Sequence, residues 1–288
     1  MAQTKEIRKK IGSVQNTKKI TSAMELVASS KMKKTQDAMS KGKPYSNKII
    51  ELIDNLSKAS SEYRHPFFQV SEEKTDIYII VGTDKGLCGG LNANLFKQAL
   101  NLMSENQEKG RKIKLVLFGK KAADTFSKLK NVEVLATATK LGDIPSVEDV
   151  VGSAQAAIKE FESGVVGNVY LYANEFINTM TQKPFRKELL PIAEINSEGV
   201  TQKVWDYIYE PGSKEILDRL LKRFIETQIY QAVIENNACE QAAKMIAMKN
   251  ASENAEEIIK SLQLVYNNAR QAAITQELSE IVGGAAAI

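Results

Sequence analysis

Residues Ser213–Val282, from SKEILDRLLKRF at 213–224 to QAAITQELSEIV at 271–282, contain neither proline nor glycine. Pro211 and Gly212 stand before the run, and Gly283 and Gly284 after it. A turn at Pro211–Gly212, an N-cap at Ser213 and Glu215 in the first turn predict one helix. Such a helix is roughly 105 Å long at 1.5 Å per residue. That length suggests a coiled coil, a membrane span or a repeat array. Recurring charges (Arg219, Lys244, Lys260) exclude the span. Ala251, Ala255, Ile258, Leu262, Val265, Ala269 and Ala272 alternate four and three apart, which is the spacing of a coiled-coil seam. A seam so rich in alanine lets a partner helix approach closely. The plainer alternative is a core helix of a bundle.

Working outward, Lys5–Lys58 reads as a second long helix. Its seam runs through Ile7, Ile11, Val14, Ala28, Met32 and Met39. Between them the same register meets Lys18, Thr21 and Glu25, while Ile20, Met24 and Val27 lie on a neighbouring face. The apolar stripe therefore shifts midway, as a curved helix with changing neighbours or an ordinary amphipathic helix of imperfect register would show. Gly42 and Pro44 predict a kink or break. The polar stretch Ser57–Lys74, with His65 and Pro66, is a connector.

The period then changes. Asp76–Val81, Lys112–Phe118, Val132–Ala136 and Asn168–Ala173 read as strands, and Pro184–Ile192 as a strand at an edge. Helices are expected at 93–108, 120–130 and from Ser146 to Glu162, the last opened by Ser146 with Asp149 three residues on. Strands alternating with helices imply a mainly parallel sheet. The expected fold is therefore α/β. A long antiparallel coiled coil of N-terminal (1–60) and C-terminal (212–288) helices carries an inserted Rossmann-like domain (75–195), giving a globular head with a two-helix stalk.

The totals narrow the chemistry. Apolar residues make up 43% and charged residues 26%, as in a soluble globular protein. Net charge is +4, yet residues 1–58 carry 13 Lys/Arg against 5 Asp/Glu, so the basic excess belongs to the N-terminal helix. An acidic partner follows for that helix, whether protein, nucleic acid or membrane surface. Cys88 and Cys239 lie far apart and read as free thiols. His65 is the single histidine, which disfavours a zinc site or a Ser-His-Asp triad and reads as exposed or structurally paired. No catalytic, cofactor-binding or metal-binding residue is expected. No apolar run approaches the ~20 residues of a membrane helix. The basic start lacks the apolar stretch of a secretory signal and reads as mature structure in a cytosolic protein.

The loop GTDKGLCGGLN at 82–92 follows a strand and precedes a helix, where phosphate-binding loops sit. It contains neither GxxxxGK[ST] nor GxGxxG. Its expected role is backbone geometry, tight turns and close packing.

These pieces together resemble the gamma subunit of the bacterial ATP synthase F1 sector, over essentially the whole chain. The resemblance is carried by KEIRKKIGSVQNTKKITSAMELVASSKM at the start, DKGLCGGLN at 84–92 and WDYIYEP at 205–211. Its most specific part is ITQELSEIVGGA at 274–285. The resemblance implies the central shaft of a rotary motor, a non-catalytic subunit without cofactor. Its partners would be the ring of alpha and beta subunits, the epsilon subunit and the membrane c ring. By matching position, Met24, Arg270, Gln271, Thr275 and Glu277 would meet the ring. Lys31, Lys33 and Lys34 would face an acidic loop on beta, and Tyr207, Tyr209 and Glu210 would lie in the foot. The implied place is the cytoplasmic face of the bacterial inner membrane, as a peripheral protein. Two rival readings stand beside it. One is a nucleotide-dependent enzyme built on the Rossmann-like domain. The other is a basic coiled coil that binds nucleic acid, against which stands the lack of any aromatic before Tyr45.

Overall fold

A computed structural model describes residues 2–59, 65–192 and 213–286. Two helices flank an α/β domain: α1 (Ala2–Ala59) and the last helix (Ser213–Ala286). Between them lie β1 (Thr75–Val81), α2 (Leu91–Glu108), β2 (Lys112–Phe118), α3 (Lys120–Phe126), β3 (Val132–Ala138), α4 (Val147–Glu162), β4 (Asn168–Asn178) and β5 (Thr181–Leu190). The last helix is α5. The expected Pro211–Gly212 turn lies outside the described residues. The glycines expected to close α5 do not, since the helix continues through Gly283 to Ala286.

The chain divides into two compact units, residues 1–29 with 244–288 and residues 30–243. In the first unit, α1 and α5 pair antiparallel. The Lys18 Nζ lies 3.0 Å from the Glu256 Oε2, and the Thr21 and Ser252 hydroxyls are 2.6 Å apart. In the first unit Ile7, Ile11, Val14, Lys18, Thr21, Glu25 and Ala28 of α1 are buried or half-buried, in unbroken heptad spacing. The stripe therefore does not shift midway. It turns polar and keeps its register, leaving Ile20 and Val27 61% and 56% exposed. On α5 the inner positions are Ser252, Ala255, Ile259, Leu262, Tyr266, Ala269 and Ala273. This corrects the expected seam, because Ile258, Val265 and Ala272 face outward. Two stripes one residue apart share 255, 262 and 269. The polar Ser252 is accommodated inside because it meets a hydroxyl of α1.

The second unit is built on a five-stranded sheet of order β3-β2-β1-β4-β5, parallel except for β5. β1 is buried along its whole length, as a central strand covered on both faces must be. One face packs Tyr78, Ile80, Leu115 and Leu117 with Leu95 and Phe126 of α2 and α3. The other packs Ile77, Ile79, Val116 and Leu171 with α4, with Ile49 and Ile53 of α1, and with Leu221, Ile225 and Ile229 of α5. The alternation of side chains along a strand is what sends 78 and 80 to one layer and 77 and 79 to the other. The capping box expected at Ser146 and Asp149 is present.

The break expected near residue 42 does not occur. α1 runs through Gly42 and Pro44 as one helix. Gly42 lies against α5: a Cβ there would meet the Gln231 Oε1, the end of a flexible side chain that would have to move. Gln231 also donates to the Met39 carbonyl at 3.2 Å, so α5 itself holds the weakened turn. His65 is buried and structurally paired. Its Nδ1 accepts from Phe67 N at 3.1 Å and its Nε2 lies 3.1 Å from Asp218.

Candidate functional site

In a sheet of this topology a ligand binds outside the carboxyl ends of the strands, where the strand order reverses. Here the reversal lies between β1 and β4. That place is filled by α5. Asn236 Nδ2 donates to the Gly82 carbonyl at 3.3 Å, and Asn174 Nδ2 donates to Asn236 Oδ1 at 2.8 Å. Beside them Cys88, Leu91 and Cys239 pack with Phe176. Burial, and next the carboxylate of Glu235, push the Cys239 thiol well above the ordinary thiol range.

The loop after β1 has its charge satisfied internally. Asp84 accepts from the backbone N–H groups of Lys120, Lys140 and Leu141 at 2.9–3.0 Å. A carboxylate of the chain thus sits where the N–H groups above β2 and β3 would hold an anion. Thr83 and Asn92 bond each other at 2.7 Å and close the loop base. Gly119 has φ +85°, and a Cβ on it would meet the Gly82 carbonyl oxygen at 2.5 Å, so two backbones touch here. This is the backbone role expected of the glycines. The sequence did not show that Asp84 joins three loops.

Near these loops is a cavity of about 590 Å³, bordered among others by Lys31, Asp84, Lys120, Asp143, Asn237 and Glu240. Lys31 of α1 reaches Asp143 at 2.7 Å. Asn237 Nδ2 donates to the carbonyls of Gly142 at 3.1 Å and Asp143 at 3.2 Å. Among the described residues, no cluster of His, Cys, Asp and Glu could hold a metal.

In the first unit the candidate surface is the outside of the helix pair. A shallow groove of about 730 Å³ runs along it between Lys18, Lys19, Glu256 and Lys260. The Lys18 ammonium, and then that of Lys260, hold the Glu256 carboxyl below its usual range. Apolar side chains Ile20, Leu26, Val27, Leu264 and Leu278 stand exposed on the same pair.

Residues 3–288 match the family described as ATP synthase. The chain is 52% identical over 289 residues to the ATP synthase gamma chain of Legionella pneumophila (strain Corby), covering all of both chains. It belongs to the ATP synthase gamma-chain family. The strain Paris relative matches at the same identity and coverage. Among solved structures, a chain of the Euglena gracilis mitochondrial ATP synthase shares the fold at TM-score 0.68 and 16% identity, over 99% of this chain and 94% of that one. A chain of the Tetrahymena thermophila mitochondrial ATP synthase central stalk and c-ring does so at TM-score 0.61 and 22% identity, over 81% of this chain and 99% of that one.

The residues that the gamma-chain resemblance singled out are spread along the molecule. Met24 is half-buried beside the seam, while Arg270, Gln271, Thr275 and Glu277 are exposed on α5. The pairing of Thr21 with Ser252 puts Met24 opposite residue 249, about 31 Å along the helix from Arg270. The structure thus does not gather these five into one spot. Lys33 and Lys34 are exposed, whereas Lys31 is engaged by Asp143. Tyr207, Tyr209 and Glu210 lie outside the described residues. Asp143, Asn236 and Asn237 had no distinguishing signal in the sequence, because isolated polar residues on a long helix or in a loop read as a solvated face.

Proposed function

We propose that this chain is the central rotor shaft of an F-type ATP synthase. It couples ion-driven rotation of a membrane c ring to ATP synthesis or hydrolysis in a ring of alpha and beta subunits, with epsilon as its neighbour at the foot. The observation that carries the reading is the 52% identity to ATP synthase gamma chains from end to end. The physical features agree with it. A shaft must resist twist, and a paired helix is stiffer than a single one. A shaft performs no chemistry, and the strand-end crevice is filled by Asn236, Cys239 and the Asp84 loop. This favours a non-catalytic subunit over the dehydrogenase-like alternative. No described helix is long and apolar enough to cross a membrane. The chain would be a peripheral subunit at the cytoplasmic face of the bacterial inner membrane.

Within this reading, Lys33 and Lys34 offer free charge to an acidic loop on beta. Met24, Arg270, Gln271, Thr275 and Glu277 meet the ring at successive levels, and Tyr207, Tyr209 and Glu210 serve the foot. Co-expression with alpha and beta subunits tests the reading. The expected outcome is a stable complex that hydrolyses ATP and, in vesicles with the membrane sector, pumps ions. A chain that stays apart from alpha and beta and turns over a nucleotide by itself would overturn it.

A further inference from the structure

Both long helices pass the carboxyl ends of the strands at one level of the second unit, and both are held there by polar side chains. We infer that the 139–143 loop and the end of β1 form a clasp that fixes the second-unit segments of α1 and α5 against rotation on the sheet, with Asp143 as the positioning residue that holds both segments. The inference deepens the rotor reading and rests on it. Asp143 receives Lys31 of α1 on Oδ2 at 2.7 Å and Gln241 of α5 on Oδ1 at 3.5 Å. Its own carbonyl and that of Gly142 receive Asn237. One residue earlier, Asn236 binds the Gly82 carbonyl and Asn174 of β4. The loop that carries Asp143 is itself anchored, because Asp84 takes the N–H groups of Lys140 and Leu141. The interdigitated core around Ile53 and Ile225 already resists rotation of the two helices. Directional bonds to both helices from one anchored loop add to that resistance at the strand ends. The Lys31–Asp143 pair is partly exposed and contributes little to stability. Its contribution is angular stiffness, at the place where torque enters or leaves the helices.

The test uses the whole complex, with its ring fixed to a surface. A rotation probe is attached through Lys109→Cys, at an exposed turn of the sheet domain, while Cys88 and Cys239 are buried. The readout is the angular variance of the stalled rotor. Asp143→Ala with Asn237→Ala removes four of the bonds named above, and the variance should rise by up to about twofold, as for parallel springs of which part is lost. Asp143→Lys alone should also raise it, and adding Lys31→Asp should bring it back towards the parent value. A merely structural role would not produce that rescue. If the double alanine variant fails to assemble, the isosteric Asp143→Asn carries the test with a smaller rise. Variance equal to the parent, or a rise that the charge exchange does not reduce, overturns the clasp. A parent complex that neither rotates nor pumps overturns the rotor reading instead.

Discussion

The Thr21 and Ser252 hydroxyls meet 2.6 Å apart in the seam between α1 and α5, both buried. Thr21 gives its proton to the Lys18 carbonyl at 3.0 Å, so Ser252 is the donor across the seam. Thr21→Val keeps the shape and removes that acceptor, leaving the Ser252 hydroxyl only its longer contact with Ser22 Oγ at 3.3 Å. The expected loss is about 0.5–1.5 kcal/mol, the net contribution of one hydrogen bond. Adding Ser252→Ala should recover part of it. Urea unfolding of the three variants beside the parent measures both steps, and a double variant less stable than Thr21→Val would contradict the pairing.

Acid weakens the same helix pair. The Lys18 ammonium, then that of Lys260, lower the folded-state affinity of Glu256 for a proton. A depressed carboxylate contributes stability that is complete above its unfolded-state value and is lost as pH falls through the lower folded one. The lead of the parent over Glu256→Gln in thermal unfolding should therefore be present near neutral pH. It should vanish in acid below the carboxylate range. An equal lead at both would exclude the ion pair as its source.

Asp84→Ala leaves three backbone donors without their acceptor and should cost about 1–3 kcal/mol. Asp84→Asn keeps one acceptor oxygen and should cost less. Neither should change nucleotide affinity of the assembled complex, measured by equilibrium titration. Loss of nucleotide binding with intact assembly would return the loop to chemistry.

The two thiols should be silent in the folded chain. Reactivity needs a thiolate, and burial raises the Cys239 thiol while Cys88 is shielded in the same cluster. A chromogenic disulfide reagent should react with neither until denaturant is added, and then with both. Rapid modification of Cys239 in the native protein would show that α5 opens from the sheet.

Lys33 and Lys34 provide the cleanest test of electrostatic guidance, because Lys31 is held by Asp143. Changing both to Glu should leave helix content unchanged, since exposed charges contribute only ~0–1 kcal/mol each. It should lower ions pumped per ATP in reconstituted vesicles at low salt, with partial relief at high salt. A ratio equal to the parent at low salt would place the partner's acidic loop elsewhere.

The strands were legible because the short apolar runs at 76–81 and 112–118 are each closed by a glycine, Gly82 and Gly119, and are too short for a helix. The last helix was legible from the absence of breakers in 213–282, and the first from the helical spacing of its apolar residues. Register was not. A stripe of alanines permits two faces one residue apart, and the choice was made by Ser252 finding Thr21, a partner 231 residues away. Pro44 and Gly42 misled because propensity knows nothing of Gln231, which packs against that turn and bonds it from α5. The candidate surface was legible only in part. Lys33 and Lys34 could be read as exposed charge. Asp143 could not be told from any other acid of a loop, because its partners come from two helices about a hundred residues away on either side.

The core beneath the sheet draws Ile49 and Ile53 from the first helix and Leu221, Ile225 and Ile229 from the last. During synthesis the first helix leaves the ribosome with that apolar face complete and its covering still untranslated. The strands of the sheet can pair as they emerge, but this layer closes only when the region around residue 229 is free. Until then the nascent chain carries an uncovered strip that invites chaperones, or a wrong neighbour. A protein whose two ends must meet is thus committed to finishing its translation before it can finish folding.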